Sequence, residues 1–142
     1  MEDPDRRIVE LLIEDGRMSY TDLGRAIGMS TSAVHQRVRR LEERGVIQGF
    51  TVVVDHAQAG RPLTAFVEAT PLDHNDPDDI PEQLKDIDGV VACYSVAGDA
   101  NYLLMVRVAT PQALETLIAA LRARAHVSTK TTVVLSTPWE RR

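Results

Sequence analysis

The spacing of apolar residues changes at residues 55–62, and this change constrains the fold more than any other feature of the chain. Before it, apolar residues recur every three or four positions, as they do on the buried stripe of a helix. After it, strand-like apolar runs are interleaved with two further helical stripes. Residues 55–62 have no period and contain a glycine and a proline, which interrupt regular structure. We therefore expect a first domain at 1–54, a linker at 55–62 and a second domain at 63–142.

The first domain is predicted to contain three short helices followed by a strand ribbon. Asp3-Pro4 is typical of a helix start, and Ser19 and Ser30 each stand where an N-cap residue would precede a new stripe. A turn at 28–29 separates the second helix from the third, and β-branched and aromatic residues at 46–54 predict the ribbon. This order is the outline of a winged helix-turn-helix. The three stripes are Ile8, Leu11 and Leu12; Leu23, Ala26 and Ile27; and Val34, Val38 and Leu41.

The second domain is predicted to alternate strands and helices in the order β-α-β-β-α-β, with Asp79 and Glu82 as a capping pair for its first helix. This order is that of the ferredoxin-like, or split βαβ, fold. The complete chain is therefore expected to be an α+β protein. The predicted strands lie at 63–69, 90–97, 102–109 and 127–135, and the predicted helices at 79–87 and 111–124.

One of these strands also predicts an assembly. Residues 102–108 are almost continuously apolar, which is typical of a strand that is covered on both faces. Two helices can cover only one face of a four-stranded sheet. We therefore expect the second face to pack against another copy of the chain, giving a homodimer or a larger even-numbered assembly.

The charge of the chain is unevenly distributed. The net charge is −5, which by itself argues against a nucleic-acid partner. However, residues 1–54 carry eight arginines against nine acidic residues, and half of those arginines lie in the third predicted helix and its end. A basic helix that follows a helix and a tight turn is typical of a DNA-reading element, although a solvated basic face is the simpler alternative.

The helical period identifies the candidate DNA contacts. With the third stripe facing inward, Ser32, Gln36, Arg39 and Arg40 point outward. Gln can pair with adenine in the major groove, and Arg can pair with guanine or with phosphate. Small residues near the helix start would let the helix approach the bases closely. The full set of candidates is Ser30, Ser32, Ala33, His35, Gln36, Arg37, Arg39 and Arg40, with Ala33 and His35 on the flanks and Arg37 near the core boundary.

Other chemistry is not indicated by the sequence. Cys93 is the only cysteine, and the four histidines are scattered, so neither a disulfide framework nor a metal site is expected. No nucleotide-binding or hydrolase motif occurs, and no cofactor is predicted. No apolar run approaches the ~18 residues of a membrane span, and no export signal is evident. We therefore expect a cytoplasmic protein that is not an enzyme and has no membrane partner.

Two runs of residues resemble the Lrp/AsnC family of regulators, also called feast/famine regulators. The later run, Gly98-Asp99-Ala100-Asn101-Tyr102-Leu103-Leu104, is similar to the Gly-Asp-x-Asp-Tyr-Leu-Leu turn of that family. The resemblance covers essentially the whole chain. The earlier run comprises Asp5-Arg6, Asp15-Gly16-Arg17, Leu23, Gly28-Met29-Ser30, and residues 37–42 and 45–50.

The resemblance implies a transcription regulator whose C-terminal domain pairs into dimers and often assembles into octamers. It also implies that a small effector, usually an amino acid, binds between the C-terminal domains of neighbouring dimers. By motif match, Gly98, Asp99, Asn101 and Tyr102 would line the effector site, and residues of the last strand would complete it. Asp99 could bind an α-ammonium group, while the amides of the turn could bind a carboxylate. Asn101 replaces an Asp that is common in the family, which removes a negative charge from the site. The last-strand residues are Thr132, Val133 and Val134.

Two other functions remain open at this point. Some proteins of this architecture are decarboxylases acting on a tetrapyrrole, for which His126 or Arg107 could be recruited. An enzyme, however, has no use for Arg39 and Arg40 on an exposed helix face. The winged helix could also serve as a protein-interaction adaptor, in which case DNA binding would be absent even at low salt. The turn at 98–101 could likewise be a plain hairpin without a ligand.

Overall fold

The structure is a computed structural model that describes residues 1–75 and 79–141. It divides into two compact units, Met1–Val53 and Val54–Glu140. Each unit has its own apolar core, and the core residues of one are separate from those of the other.

The first unit contains the three predicted helices, α1 (Asp3–Glu14), α2 (Tyr20–Ile27) and α3 (Thr31–Glu43). Two serines cap them as predicted: Ser19 Oγ accepts the Asp22 N–H at 3.0 Å, and Ser30 Oγ accepts the Ala33 N–H at 3.2 Å. Gly28 ends α2 in the left-handed conformation, with a φ of +73° that a side chain would disfavour. The helix-turn-helix is therefore confirmed.

The predicted stripes form the core of the first unit, except that Ala26 is exposed. The prediction for the start of α1 was wrong in detail. Its N-cap residue is Glu2, no side chain caps it, and Asp3 already lies within the helix. The carboxylate of Asp3 still lies in the first turn, where the helix dipole favours negative charge.

The strand ribbon predicted at 46–54 is absent, since these residues form neither helix nor strand. The amides of Val46 and Ile47 both donate to the Leu41 carbonyl and close the end of α3. A run of this length could form at most a minimal two-stranded hairpin, which is only marginally stable by itself, so a strand here needs a pairing partner elsewhere. None of the described segments provides one, and Val52 is consequently 80% exposed.

The second unit has the predicted β-α-β-β-α-β order. Its sheet has the strand order β2-β3-β1-β4, and every neighbouring pair is antiparallel. The elements are β1 (Leu63–Pro71), α4 (Ile80–Leu84), β2 (Val90–Ser95), β3 (Tyr102–Val108), α5 (Pro111–Ala125) and β4 (Val127–Val133).

Helix α4 is shorter than predicted, and its predicted cap does not form. Asp79 occupies the N-cap position, but its side chain instead accepts a hydrogen bond from Gln83 Nε2 at 2.7 Å. After Leu84 the chain forms a tighter turn of the 3₁₀ type, because the Ile87 amide donates a hydrogen bond to the Leu84 carbonyl, three residues earlier.

The two faces of the sheet differ in burial. On β3 the residues alternate between buried and half-buried, so that Leu104 faces the helices while Leu103 and Met105 face the other way. Phe66 of β1 lies opposite Met105 on this second face, which we call the open face. Helices α4 and α5 cover the first face. Its core is formed by Ala65, Val67, Ala69, Ile80, Leu84, Tyr102, Leu104, Val106, Val108, Leu114, Leu117, Leu121, Ala125 and Val127.

Candidate nucleic-acid interface and small-molecule cavity

Helix α3 separates its residues as the helical period predicts. Val34, Val38 and Leu41 are buried, whereas the side chains of Gln36 and Arg40 are exposed. Ser32 and Arg39 are exposed as well, so one face of α3 carries amide, hydroxyl and guanidinium groups. Such groups can donate to base edges and to phosphates.

The two arginines on this face differ in their contacts. Arg39 Nε lies 2.9 Å from Glu43 Oε1, one turn further along, and both side chains are largely exposed. An exposed pair of this kind contributes little to stability, so Arg39 can exchange Glu43 for another acceptor at small cost. Arg40 makes no side-chain contact of this kind within the described part of the chain. It is the freer of the two cations.

Arg37, a predicted DNA contact near the core boundary, is bound by two carboxylates of α1. Its Nη1 donates to Asp5 Oδ1 at 2.8 Å and to Glu2 Oε2 at 2.9 Å, and its side chain is only 21% exposed. Both hydrogen bonds raise the pKa of the Arg37 guanidinium, and the bond to Asp5 makes the larger contribution. Asp5 is buried, so Arg37 supplies the positive charge that a buried carboxylate requires. This group packs α3 against α1.

The remaining predicted contacts lie on the flank and at the start of α3. The exposed His35 ring meets the Tyr20 ring edge-on, with 5.3 Å between the centroids. Ala33 is half-buried. Ser30 Oγ caps the helix and also lies 3.3 Å from Ser32 Oγ. These contacts set the start of α3 and the orientation of His35.

A cavity of about 260 Å³ lies in the second unit, where the turn before β3 meets the beginning of β4. Gly98 enters this turn with a φ of +140°, a conformation that favours glycine. Asp99, a predicted effector contact, lines the cavity. The complete lining is Glu68, Thr70, Asp99, Ala100, Ser128, Thr129 and Lys130.

The other predicted effector residues lie in three different environments. Gly98 and Asn101 share the turn with Asp99 and are exposed. Tyr102 is 6% exposed and belongs to the helix-covered core. Thr132 lies opposite Phe66, Val133 is the last residue of β4, and Val134 follows the strand.

Within one chain, Thr132, Val133 and Val134 do not line this cavity, and their place at an effector site stays a prediction. Thr129 lies opposite Ala69, which also pairs with Tyr102 beside the turn. Thr132 is three residues further along β4, about 10 Å away at the usual rise of a strand. Ser128, Thr129 and Lys130 take the place beside the turn.

Two charged residues of the cavity were not singled out from the sequence. Glu68 and Lys130 lie directly opposite each other on β1 and β4, on the open face of the sheet. Their proximity depends on the register of two strands that are about 60 residues apart in the chain, and the sequence carries no local signal for that register. Within residues 1–75 and 79–141, neither side chain has a hydrogen-bond or ion-pair partner.

Throughout the described residues, every helix is too short or too polar to cross a bilayer. In the same part of the chain, no three side chains of His, Cys, Asp or Glu come together as metal ligands would.

Both halves of the chain match known family models. Residues 1–42 match the AsnC-type helix-turn-helix domain, and residues 64–142 match the Lrp/AsnC ligand binding domain. The HTH-type transcriptional regulator LrpA of Mycobacterium tuberculosis is 47% identical over 137 residues, which cover 96% of this chain and 91% of that protein. The leucine-responsive regulatory protein of Escherichia coli K12 is 36% identical over 137 residues, which cover 92% of this chain and 82% of that protein.

Solved structures show the same relationship. The crystal structure of the leucine response regulatory protein LrpA of M. tuberculosis is 45% identical, with a TM-score of 0.92, and the match covers 100% of this chain and 97% of that one. A feast or famine regulatory protein of M. tuberculosis, complexed with L-methionine, is 46% identical with a TM-score of 0.96. That match covers 99% of this chain and 96% of the other.

Proposed function

Because this chain belongs to the Lrp/AsnC family of transcriptional regulators, we propose that it binds double-stranded DNA through α3 and responds to an amino acid. We assign DNA binding to residues 1–54, and effector binding and assembly to residues 63–142, with 55–62 as the linker. The exposed polar and basic face of α3 carries the proposal. We further propose that the protein acts in the cytoplasm and catalyses no reaction.

The proposed DNA contacts follow from what each side chain of α3 is free to do. Gln36 is exposed at the centre of the face and reads a base, while Arg39 and Arg40 bind phosphate or guanine. Ser30, Ser32, Ala33 and His35 form the part of the surface nearest the helix start. Arg37 is left out, because two carboxylates of α1 already bind its guanidinium.

A selection of bound DNA fragments tests this function. Fragments recovered with the purified protein at moderate salt are expected to share a pseudo-palindrome whose half-sites lie ~34 Å apart or a multiple of that. Gln36→Ala should relax the preference at the base it contacts, removing about 1–3 kcal/mol of discrimination. Arg40→Ala should instead lower the affinity for all DNA sequences alike. It should also reduce the slope of log affinity against log salt concentration by about one.

Arg124→Ala is the matched control, because Arg124 is exposed on α5 in the other unit and should leave DNA binding unchanged. Recovery of random DNA at every salt concentration would contradict the proposal. Recovery of no DNA, even at low salt, would favour the adaptor function instead.

The proposed effector site includes the cavity at the turn and is completed by a neighbouring copy of the chain, as the resemblance implies. Its proposed residues remain Gly98, Asp99, Asn101, Tyr102, Thr132, Val133 and Val134. Asp99 supplies a carboxylate for the α-ammonium group of an amino acid, and Lys130 supplies a cation for its α-carboxylate. A relative of known structure is complexed with L-methionine, which supports an amino acid as the class of ligand. Asn101 lies in the same turn without a charge, so the carboxylates of the cavity come from Asp99 and Glu68.

The open face of the sheet supports a homodimer. Phe66, Leu103 and Met105 are half-buried there, although no helix in the described part of the chain covers them. Arg107 lies on the same face, and its buried Nε has no acceptor in the described structure. A second copy packed on this face would cover the apolar side chains and could supply the acceptor. We propose this dimer as the unit that reads two half-sites, and an octamer as its further assembly.

Sedimentation equilibrium tests the assembly. The wild-type protein should sediment at twice its 15.7 kDa mass or at a larger even multiple. Met105→Glu would bury a charge in the proposed interface and is expected to shift the equilibrium to monomers. Thr116→Glu, on the exposed side of α5, should not. A wild-type monomer at micromolar concentration would refute the dimer.

The decarboxylase alternative is not favoured by the placement of its candidate residues. Arg107 lies opposite Thr64 at one end of β1, whereas the His126 carbonyl accepts the Leu72 amide beyond the other end. At the usual rise of a strand, the two positions are about 25 Å apart. Arg107 and His126 therefore cannot act on the same part of one substrate within a chain.

A further inference from the structure

We propose that Glu68 of one chain forms an ion pair with Arg107 of a second copy, and that two such pairs fix how the open faces of the dimer meet. This inference rests on the homodimer proposed above. It goes further because it names the acceptor for Arg107 and, with it, the orientation of one sheet on the other.

The four described strands carry three charged side chains, and all three lie on the open face. Glu68 is the acid, and Arg107 and Lys130 are the bases. Arg107 is half-buried like the other open-face positions of β3, and Glu68 and Lys130 are cross-strand neighbours. Any carboxylate that a second sheet packed on this face supplies from its strands must therefore be Glu68.

Arg107 is the cation that needs this carboxylate. Its Nε is buried, and within residues 1–75 and 79–141 its guanidinium has no hydrogen-bond or ion-pair partner. A second sheet would remove the remaining water from this group, and a buried charge without a partner is strongly unfavourable. Lys130, by contrast, is exposed and can keep its ammonium group in water at the edge of an interface.

Glu68 is too far from Arg107 of its own chain to be this partner. Arg107 lies opposite Thr64, and Glu68 is four residues further along β1. At the usual rise of a strand, this separation is about 13 Å. Phe66 lies midway between Thr64 and Glu68, and Met105 lies opposite Phe66. The base and the acid thus stand at similar distances on either side of an apolar centre.

This placement suits a two-fold axis that crosses the strands at Phe66. Sheets that pack face to face lie about 10 Å apart, and their strand directions agree to within about 30°, so the axis runs either across or along the strands. An axis across the strands reverses the second sheet and brings the partner's Glu68 level with Arg107, one strand to the side. A glutamate and an arginine side chain can together span that gap.

An axis along the strands would leave Arg107 unpaired. It would place Arg107 level with the partner's Thr64 and the partner's Arg107, and the described strands have no acidic residue at that level. The axis across the strands instead gives an apolar centre with one ion pair on each side, which is the usual arrangement of a protein interface. Arg also suits this role, because its planar guanidinium can bind a carboxylate through two parallel hydrogen bonds.

Charge reversal in mixed dimers tests the pair. Glu68→Arg alone would set two arginines against each other at both sites, and Arg107→Glu alone would set two glutamates against each other. The dissociation constant of each variant dimer is expected to rise about a hundredfold or more. An equimolar mixture should regain a dissociation constant within about tenfold of the wild type, because a mixed dimer has one Arg–Glu pair at each site. Native mass spectrometry should find one copy of each variant in that dimer.

Glu115→Arg is the matched control, because it makes the same reversal on the exposed surface of α5 and should dimerise like the wild type. The inference would be overturned if either reversed variant dimerised by itself like the wild type, or if the mixture stayed monomeric. A wild-type dimer that Met105→Glu dissociates would then keep the open face as the interface, with a different pairing of its charges. A wild-type monomer at micromolar concentration would refute the dimer, and this inference with it.

Discussion

Gly24→Ala is expected to disrupt the helix-turn-helix, although alanine is the better helix former. A Cβ at Gly24 would overlap the carbonyl oxygen of Met29, which is a backbone atom and cannot rotate away. The Met29 amide also donates a hydrogen bond to the Gly24 carbonyl at 2.9 Å, and this bond already holds the turn close to α2. Relief of the overlap must displace the turn and the start of α3. We expect the first unit to lose about 1–3 kcal/mol, as in other overpacked sites.

Amide hydrogen exchange in α1, α2 and α3 measures this loss separately from the second unit. DNA affinity should fall for every sequence, since the whole face of α3 moves. Gly16→Ala is the matched control, because a Cβ there lies 3.7 Å from the Leu12 carbonyl oxygen and the φ of Gly16 is not positive. Its effect should stay within about 0.5 kcal/mol. If the helix amides of the two variants were equally protected from hydrogen exchange, the turn would have accommodated the new Cβ without strain.

Leu104→Ala should have the largest effect on the second unit. Leu104 is 0% exposed in β3, which pairs with β1 and β2 on either side. Truncation removes buried methyl groups and leaves a cavity that neighbouring strands cannot fill. The expected loss is about 2–5 kcal/mol.

Urea unfolding, monitored by hydrogen exchange of the sheet amides, checks this value. Leu135→Ala makes the same chemical change at a side chain that is 97% exposed, and it should leave stability nearly unchanged. A similar loss in both variants would mean that Leu135 is buried in an assembly of chains. No loss in either would contradict the assignment of Leu104 to the core.

The local patterns of the sequence were sufficient to predict the helices and the order of the strands. Ser19 and Ser30 could be recognised as caps because a cap acts on amides three residues away. The stripe on α3 could be recognised because burial on a helix has a fixed period. The same period placed Gln36 and Arg40 on the exposed side, where the structure has them.

Features that depend on distant partners were not predictable in this way. Residues 46–54 have the composition of a strand, but a strand requires a neighbour, and composition does not say whether the same chain supplies it. Arg37 is basic and lies on a DNA-reading helix, yet Asp5 and Glu2, more than 30 positions earlier, determine what it binds. Glu68 and Lys130 meet only through the register of β1 with β4.

On α3 the residues that stabilise the fold are different from those proposed to contact DNA, and this affects how the DNA specificity of such a regulator can change in evolution. Val34, Val38 and Leu41 hold the helix in place, and Arg37 neutralises a buried acid, so changes at these positions are selected against through folding. Among the residues that the structure describes, the exposed side chains of Gln36 and Arg40 form no hydrogen bond or ion pair. Substitutions at the exposed positions can therefore accumulate in a duplicated gene with little loss of protein stability. Single mutations there can change the operator sequence that the protein recognises.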